Sequence, residues 1–403
     1  MAGVMVLLLL ALGSCVAQDD AGKAAATAPV TVPVEPPAGP QTDQPAANGE
    51  ALRMTLPPDI WTVPGHEINI YFANVILHPR MHGLYIDVEC NRGRQDADRW
   101  RYIPTPEDIG QFGLTIRVTD AQMKPLGEAS TMIHVTPEDA GAGKEISILI
   151  IGDSLAANGL YAGEVFKLCE GEGNPKLKMV GKRKSRVEGV AFEGYGGFTW
   201  NAYCARWMDS DSYSAKSPFL HLEGDKPVLD FETYCDAQND GKGPDFITVL
   251  LGCNDSFGAT EETIEERIDV MFGNADTLIA QFHRVRPDTQ IGILLLVPPS
   301  ASQDAFGSNY KCNQTRWQYR RNVQRVVERE LEKFGDREDE NIFIVPANVN
   351  IDCVNNYPAR NEAINSRNET KILRASNGVH PAAAGYLQIA DSIYYWLKSR
   401  VKD

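Results

Sequence analysis

Ser154 lies in Gly152-Asp153-Ser154-Leu155, directly after the apolar run Ile146-Ser147-Ile148-Leu149-Ile150-Ile151. That placement puts a hydroxyl on a strand-to-helix turn, with backbone N–H groups facing the same crevice. An alcohol is a weak nucleophile at neutral pH, so it needs a base within hydrogen-bond reach and a group to orient that base. His380, in Asn377-Gly378-Val379-His380-Pro381 ahead of the last helical pattern, is the candidate base. A second apolar run leads into Gly252-Cys253-Asn254-Asp255, where the Asn254 carboxamide is a fixed neutral donor suited to a developing oxyanion. Between them, Glu193-Gly194-Tyr195-Gly196-Gly197-Phe198-Thr199 is a glycine-rich loop in which Gly197 can bring its N–H close to a substrate. Together these groups suit acyl transfer from an ester. Singly each is weak: Gly-Asp-Ser-Leu could be a strand-ending turn, Gly-x-Asn-Asp is common turn composition, and His380 is one of seven histidines. Cys253 reads as a small buried filler, because a catalytic thiol would need a base of its own.

The elements that must position these residues are continuous β-branched and apolar runs at 146–151, 245–251, 290–297 and 341–345, the pattern of strands buried on both faces. Helical patterns lie between them, at 261–284 and 316–334, and a last one begins at Pro381 or Ala382 and ends at Lys398. The expected fold of residues 144–403 is a three-layer α/β/α sandwich with a parallel, flavodoxin-like sheet. In such sheets ligands bind beyond the carboxyl ends of the strands, which is where the candidate residues fall. Upstream, residues 53–137 show short period-2 segments at 67–72, 84–88, 114–118 and 131–135, predicting a small all-β sandwich of Ig-like size. Hairpin closures are expected at Thr119-Asp120 and Pro125-Leu126-Gly127. This β segment is expected to pack or to space rather than to carry chemistry, with glycan binding as the alternative.

In order, Ser154, Gly197, Asn254 and His380 resemble the four blocks of the SGNH, or GDSL, hydrolases, over roughly residue 145 to the C-terminus. The resemblance implies a serine esterase with Ser154 as nucleophile, His380 as base and an oxyanion hole from the Ser154 N–H, the Gly197 N–H and the Asn254 side chain. It also implies a pocket near Tyr195, Phe198 and Trp200, and it calls for no cofactor or metal. Family members usually place Asp three residues before the histidine, whereas this chain has Asn377. A carboxylate orients the imidazole and stabilises the imidazolium; an amide only orients it, and in a serine-protease triad that exchange costs about 10⁴ in turnover. Three arrangements are open: a weaker triad through Asn377, a Ser-His dyad with a backbone carbonyl, or a lapsed enzyme that kept binding. The form of the glycine loop and the added β segment resemble carbohydrate acetylesterases, implying an acetylated carbohydrate substrate. A lipase, lysophospholipase or thioesterase is the alternative, and a glycan-binding surface protein is a third reading.

The formal net charge of −15 makes nucleic acid a poor partner and argues for neutral or weakly charged substrates. No protein partner is expected. Residues 1–17 have the length and small-residue ending of a secretory signal, and Leu12-Gly13-Ser14-Cys15 is similar to a bacterial lipobox, in which Cys15 would carry a lipid. The expectation is export to a bacterial periplasm or cell surface, with membrane contact only through that anchor; ordinary cleavage after Ala17 is the alternative. Residues 18–51, rich in Ala, Pro, Thr and Gln, read as a disordered linker. The eight cysteines show no metal-site spacing. In an exported chain with Cys15 lipidated they would form at most three bridges, Cys204 to Cys235 and Cys312 to Cys353 being trial pairings. The sequons at Asn313 and Asn368 read as chance in a bacterial-type precursor.

Overall fold

A computed structural model describes residues 52–401. The signal segment, Cys15 and the linker lie outside the described residues.

The main sheet is built from β1 (Glu145–Gly152), β2 (Lys176–Val180), β3 (Ala191–Gly194), β4 (Phe246–Leu250), β5 (Gln290–Leu294) and β6 (Ile342–Val345). Its order is β2-β1-β4-β5-β6, all parallel, with β3 also pairing the carboxyl end of β1 through Ile151↔Glu193 and Gly152↔Gly194. Burial is almost unbroken along these strands, which explains the lack of alternation in their sequences. The helices α1 (Leu160–Cys169), α2 (Ile264–Val285), α3 (Arg316–Phe334) and α4 (Ala383–Arg400) flank the sheet, α1 packing on α4 and α2 on α3. Thr315 caps α3 by accepting from the Gln318 N–H, and α2 carries Glu265 and Glu266 in its first turn and His283 and Arg284 in its last, matching the helix dipole. The expected parallel α/β architecture holds. Strand order reverses between β1 and β4, so the loops after them open the crevice that such a switch point creates. Ser154 follows β1 and Asn254 follows β4.

The run at 290–297 was expected to be strand throughout, but β5 stops at Leu294. Leu295 still donates to the Val345 carbonyl, whereas the Leu296 N–H turns to the buried Glu330 carboxylate as the chain approaches Pro298 and Pro299, which have no N–H for a ladder.

Upstream, strands Asp59–Thr62, Pro125–Val135, Gly110–Thr119 and Tyr85–Glu89 form a four-stranded sheet in that order, and Ile68–Tyr71, Arg99–Tyr102 and Arg94–Gln95 a three-stranded one. Small β sheets match the pattern of this segment, except that Phe72, expected in a strand, begins a helical turn at Phe72–Val75. Its long hairpin closes at 120–124, where the Asp120 carboxylate accepts from the Gln122 and Lys124 N–H groups; Pro125, Leu126 and Gly127, expected as a turn, are in the strand. Residues 52–401 lie within one compact unit. Buried polar bonds join the β segment to the helical layers. Asn74 donates to the carbonyls of Asn348 and Ile351, and Arg320 of α3 donates to those of Ala73 and Asn74.

Candidate active site

The turn after β1 is set by one residue. The Asp153 carbonyl accepts from the N–H groups of Ala156 and Ala157, and its carboxylate accepts from the Leu155 N–H at 2.9 Å. Strand β3 presses against this turn at Gly194, where a Cβ would stand 2.7 Å from the Ala156 backbone. The Tyr203 hydroxyl lies 2.8 Å from the carbonyls of both Gly152 and Glu193. The backbone bearing Ser154 is thus fixed by its neighbours, while its side chain stays half-buried at the crevice.

His380 reaches it from the opposite end of the domain sequence. Its Nε2 stands 2.9 Å from Ser154 Oγ. Burial alone lowers the imidazole from its ordinary value, so the ring is neutral at neutral pH and able to accept a proton. Among the described residues no carboxylate bonds to the ring. Asn377 Oδ1 accepts the main-chain N–H groups of Val379 (3.1 Å) and His380 (2.9 Å), shaping the loop rather than binding the ring. Of the arrangements left open, neither a ring bond to Asn377 nor one to a backbone carbonyl is formed: among the described residues the ring bonds only to Ser154. The reason is competition: a side-chain oxygen two or three residues ahead of free main-chain N–H groups closes a local turn readily.

Asn254 brings the other two loops together. Its Nδ2 donates to Asp153 Oδ2 at 3.1 Å, beside Ser154, and to the Phe198 carbonyl at 2.9 Å, beside Gly197. Both amide hydrogens therefore have protein acceptors. A substrate oxygen would have to share one of them. Burial pushes the Asp153 carboxyl up to about 7, with the Asp255 charge adding to it, and burial likewise pushes Asp255 up to about 7. Gly197 has φ +73 and open space where a Cβ would stand, so its constraint is the left-handed backbone rather than crowding.

Residues 148–393 match the family described as GDSL-like Lipase/Acylhydrolase, more than half of the chain. The chain belongs to the GDSL-like lipase/acylhydrolase family. It is an ester hydrolase of that type. No curated protein matches it. Solved structures similar to it include a Clostridium thermocellum family 3 carbohydrate esterase, at 17% identity and TM-score 0.36, covering 64% of this chain and 97% of that one. Another is a variant acetyl esterase with acetate ion, at 14% identity and TM-score 0.36, covering 64% of this chain and 98% of that one. Likenesses this distant carry no argument about substrate.

In this GDSL-type hydrolase two sequence expectations are corrected. Tyr195, Phe198 and Trp200 do not line an open pocket: all three are buried, and the first two stack at 4.7 Å between centroids beneath the glycine loop. The exposed ring on that side is Tyr213, 57% accessible, which no motif marked. All seven described cysteines are free, so neither Cys204 with Cys235 nor Cys312 with Cys353 is bridged. Cys312 is exposed, while Cys353 is buried with its thiol facing the Asn74 side chain. Cys253 is the expected filler: it is buried, Tyr319 donates to its sulfur, and burial pushes its thiol far above the ordinary range.

Sequence reasoning also missed why the glycine loop begins with Glu193. Its carboxylate is buried and accepts from the Tyr195 and Tyr234 hydroxyls and the Lys182 N–H, anchoring the loop from below. Arg183 and Arg206 bind carbonyls of the site loops, from positions that share no spacing with the motifs. Only the fold brings them there.

Proposed function

We propose that the protein removes short acyl groups, acetyl foremost, from carbohydrate, with Ser154 as nucleophile and His380 as its base. The observation that carries this reading is the 2.9 Å contact between His380 Nε2 and Ser154 Oγ at the switch point of the sheet. Ser154 Oγ attacks the ester carbonyl carbon as His380 Nε2 takes its proton. The oxyanion is met by the N–H groups of Ser154 and Gly197 and by one Asn254 Nδ2 hydrogen, shared with its present acceptor. The tetrahedral adduct collapses, His380 returns the proton to the leaving alkoxide, and water attacks the acyl-enzyme with the same base. Asn377 shapes the loop, so the machinery is a Ser-His dyad. The exposed Tyr213 ring supports a sugar substrate, since an aromatic face is a surface on which a pyranose can lie. Export, with a lipid on Cys15, is proposed from the N-terminal sequence alone.

The missing bond from His380 to Asn377 also favours a second reading, a glycan-binding protein whose catalysis has lapsed. Hydrolysis of p-nitrophenyl acetate, butyrate and octanoate by wild type and Ser154→Ala separates the two. Acetate turnover that vanishes in Ser154→Ala is expected. Preference for octanoate would move the reading to a lipase, and turnover that survives Ser154→Ala would refute the assignment of the nucleophile.

A further inference from the structure

Among the described residues the His380 ring bonds only to Ser154, so its aim rests on the main chain to either side of it. Upstream, the Gly378 carbonyl accepts the Ser300 N–H at 3.0 Å; downstream, the Ala382 N–H donates to the Asn356 carbonyl at 2.9 Å. Pro381 stands between His380 and Ala382 and fixes its own φ, which stiffens that stretch. Both holds lead to the same turns after β6. Asn356 belongs to them, and Ala301, next to Ser300, donates to the Cys353 carbonyl at 2.8 Å. The Tyr357 hydroxyl adds a bond to the Pro298 carbonyl at 2.6 Å.

Residues 351–358 belong to no helix or strand, so bonds from outside decide where they lie. The β segment supplies several of these. Asn74 Nδ2 donates to the carbonyls of Asn348 at 2.9 Å and Ile351 at 2.8 Å, and its Oδ1 accepts the Cys353 thiol at 3.4 Å. Asn69 donates its main-chain N–H at 2.9 Å and its Nδ2 at 3.2 Å to Asn350 Oδ1. Asn69 and Asn74 are each 3% exposed, so water does not replace a bond that is lost. The two arms differ in support. Gln388 of α4 also holds Asp352 and Asn356, whereas the turn at Ile351 and Cys353 leans on Asn74. We propose that the β segment is part of the catalytic apparatus, with Asn74 a positioning residue that holds the turns after β6, and through them the His380 loop, in register with Ser154. This rests on the Ser-His reading of the site and gives the β segment a task beyond packing. A triad acid would hold the ring directly; here that task passes to the frame around the loop.

The test is p-nitrophenyl acetate hydrolysis by wild type, Asn74→Ala, Asn69→Ala and Thr55→Val, with kcat expressed per Ser154 titrated by a p-nitrophenyl phosphonate, so that unfolded enzyme is not counted. Thr55→Val is the control for the seam: it removes a buried bond from Gln324 Nε2 on α3, at 3.0 Å, without touching the turns after β6. Asn74→Ala should lower kcat per site about tenfold, and Asn69→Ala, which keeps its main-chain bond to Asn350, about threefold. KM should stay within about twofold, since a misaimed base affects the chemical step rather than binding. Thr55→Val should lower the melting temperature and leave kcat per site unchanged. Wild-type kcat per site in both asparagine variants overturns the proposal, and so does a fall in Thr55→Val that matches that in Asn74→Ala. Should Asn74→Ala give no titratable site, Asn69→Ala decides alone on the same criterion. Turnover that survives Ser154→Ala, or a phosphonate that modifies wild type elsewhere, removes the Ser-His reading itself, whatever the β-segment variants do.

Discussion

Replacing Asn377 with Asp should turn the dyad into a triad, and the size of the gain follows from the loop. Asn377 Oδ1 already accepts the N–H groups of Val379 and His380, bonds that an aspartate oxygen would keep. The second carboxylate oxygen then occupies the place of Nδ2, on the side chain whose other oxygen holds the His380 N–H. A negative charge within about 4–6 Å favours an imidazolium by 1–3 pK units, and the half-buried setting argues for the lower part of that range. One to two units are about 1.4–2.7 kcal/mol, or about ten- to a hundredfold in the plateau of kcat/KM. In wild type, burial lowers the His380 pKa, so the working neutral base persists to lower pH than an ordinary histidine and is lost as pH falls through that lowered value. In Asn377→Asp the acidic limb moves up, so the gain is largest at alkaline pH and shrinks toward acid. The assay is p-nitrophenyl acetate hydrolysis profiled from about pH 5 to 9. An acidic limb that does not move, or a gain equal at every pH, would refute the argument that Asn377 sets the charge beside the base.

Two further outcomes concern stability. Asp391 is pushed up to about 7 by burial, with Glu164 adding to it, so its folded pKa exceeds the unfolded one and stability is lost as pH rises from about 4 through about 7. Asp391→Asn should therefore raise the melting temperature more at pH 8 than at pH 5, by up to about 3 kcal/mol of differential stability, and equal gains at both pH values would contradict the burial argument. Arg320, 5% exposed, bonds Ala73, Asn74 and Gln324, so Arg320→Ala leaves buried acceptors unpaired and should cost about 3–5 kcal/mol in urea unfolding. A loss under about 1 kcal/mol would mean that apolar contact alone docks the β segment.

What the sequence made legible was what is local to a strand end. The parallel strands announce themselves because burial on both faces demands continuous Ile, Leu and Val, and the turns after β1 and β4 carry their chemistry in adjacent residues. Helix α3 was legible to the residue because Thr315 caps it and Gly335 ends it. Illegible were matters decided by direction or by distant partners. Whether Asn377 faces the ring or its own backbone is a rotamer choice within one loop. That Tyr195 and Phe198 turn inward depends on Glu193 holding the loop from below, 41 residues before its partner Tyr234. The hairpin Ala359–Asn365 with Asn368–Ala375 was missed because its exposed, polar pattern lacks the alternation that a half-buried strand shows.

The geometry also says why such a site can work without an acid. A triad carboxylate orients the imidazole and stabilises the charge it acquires. Here orientation comes from elsewhere: the loop is turned by Asn377, and the Ser300 N–H bonds the Gly378 carbonyl at 3.0 Å. Charge stabilisation has no such substitute, and desolvation works against it. The same desolvation keeps the ring neutral and available at neutral pH, which favours the first proton transfer even as it disfavours the ion pair that follows. The balance suits esters whose leaving alkoxide takes the proton back promptly. In the proposed mechanism it leaves the oxyanion donors, Asn254 among them, to supply the transition-state stabilisation. Asn254 is held in place by Asp153 and the Phe198 carbonyl, so in that mechanism its amide keeps its position while one hydrogen comes to be shared between a protein oxygen and the developing charge.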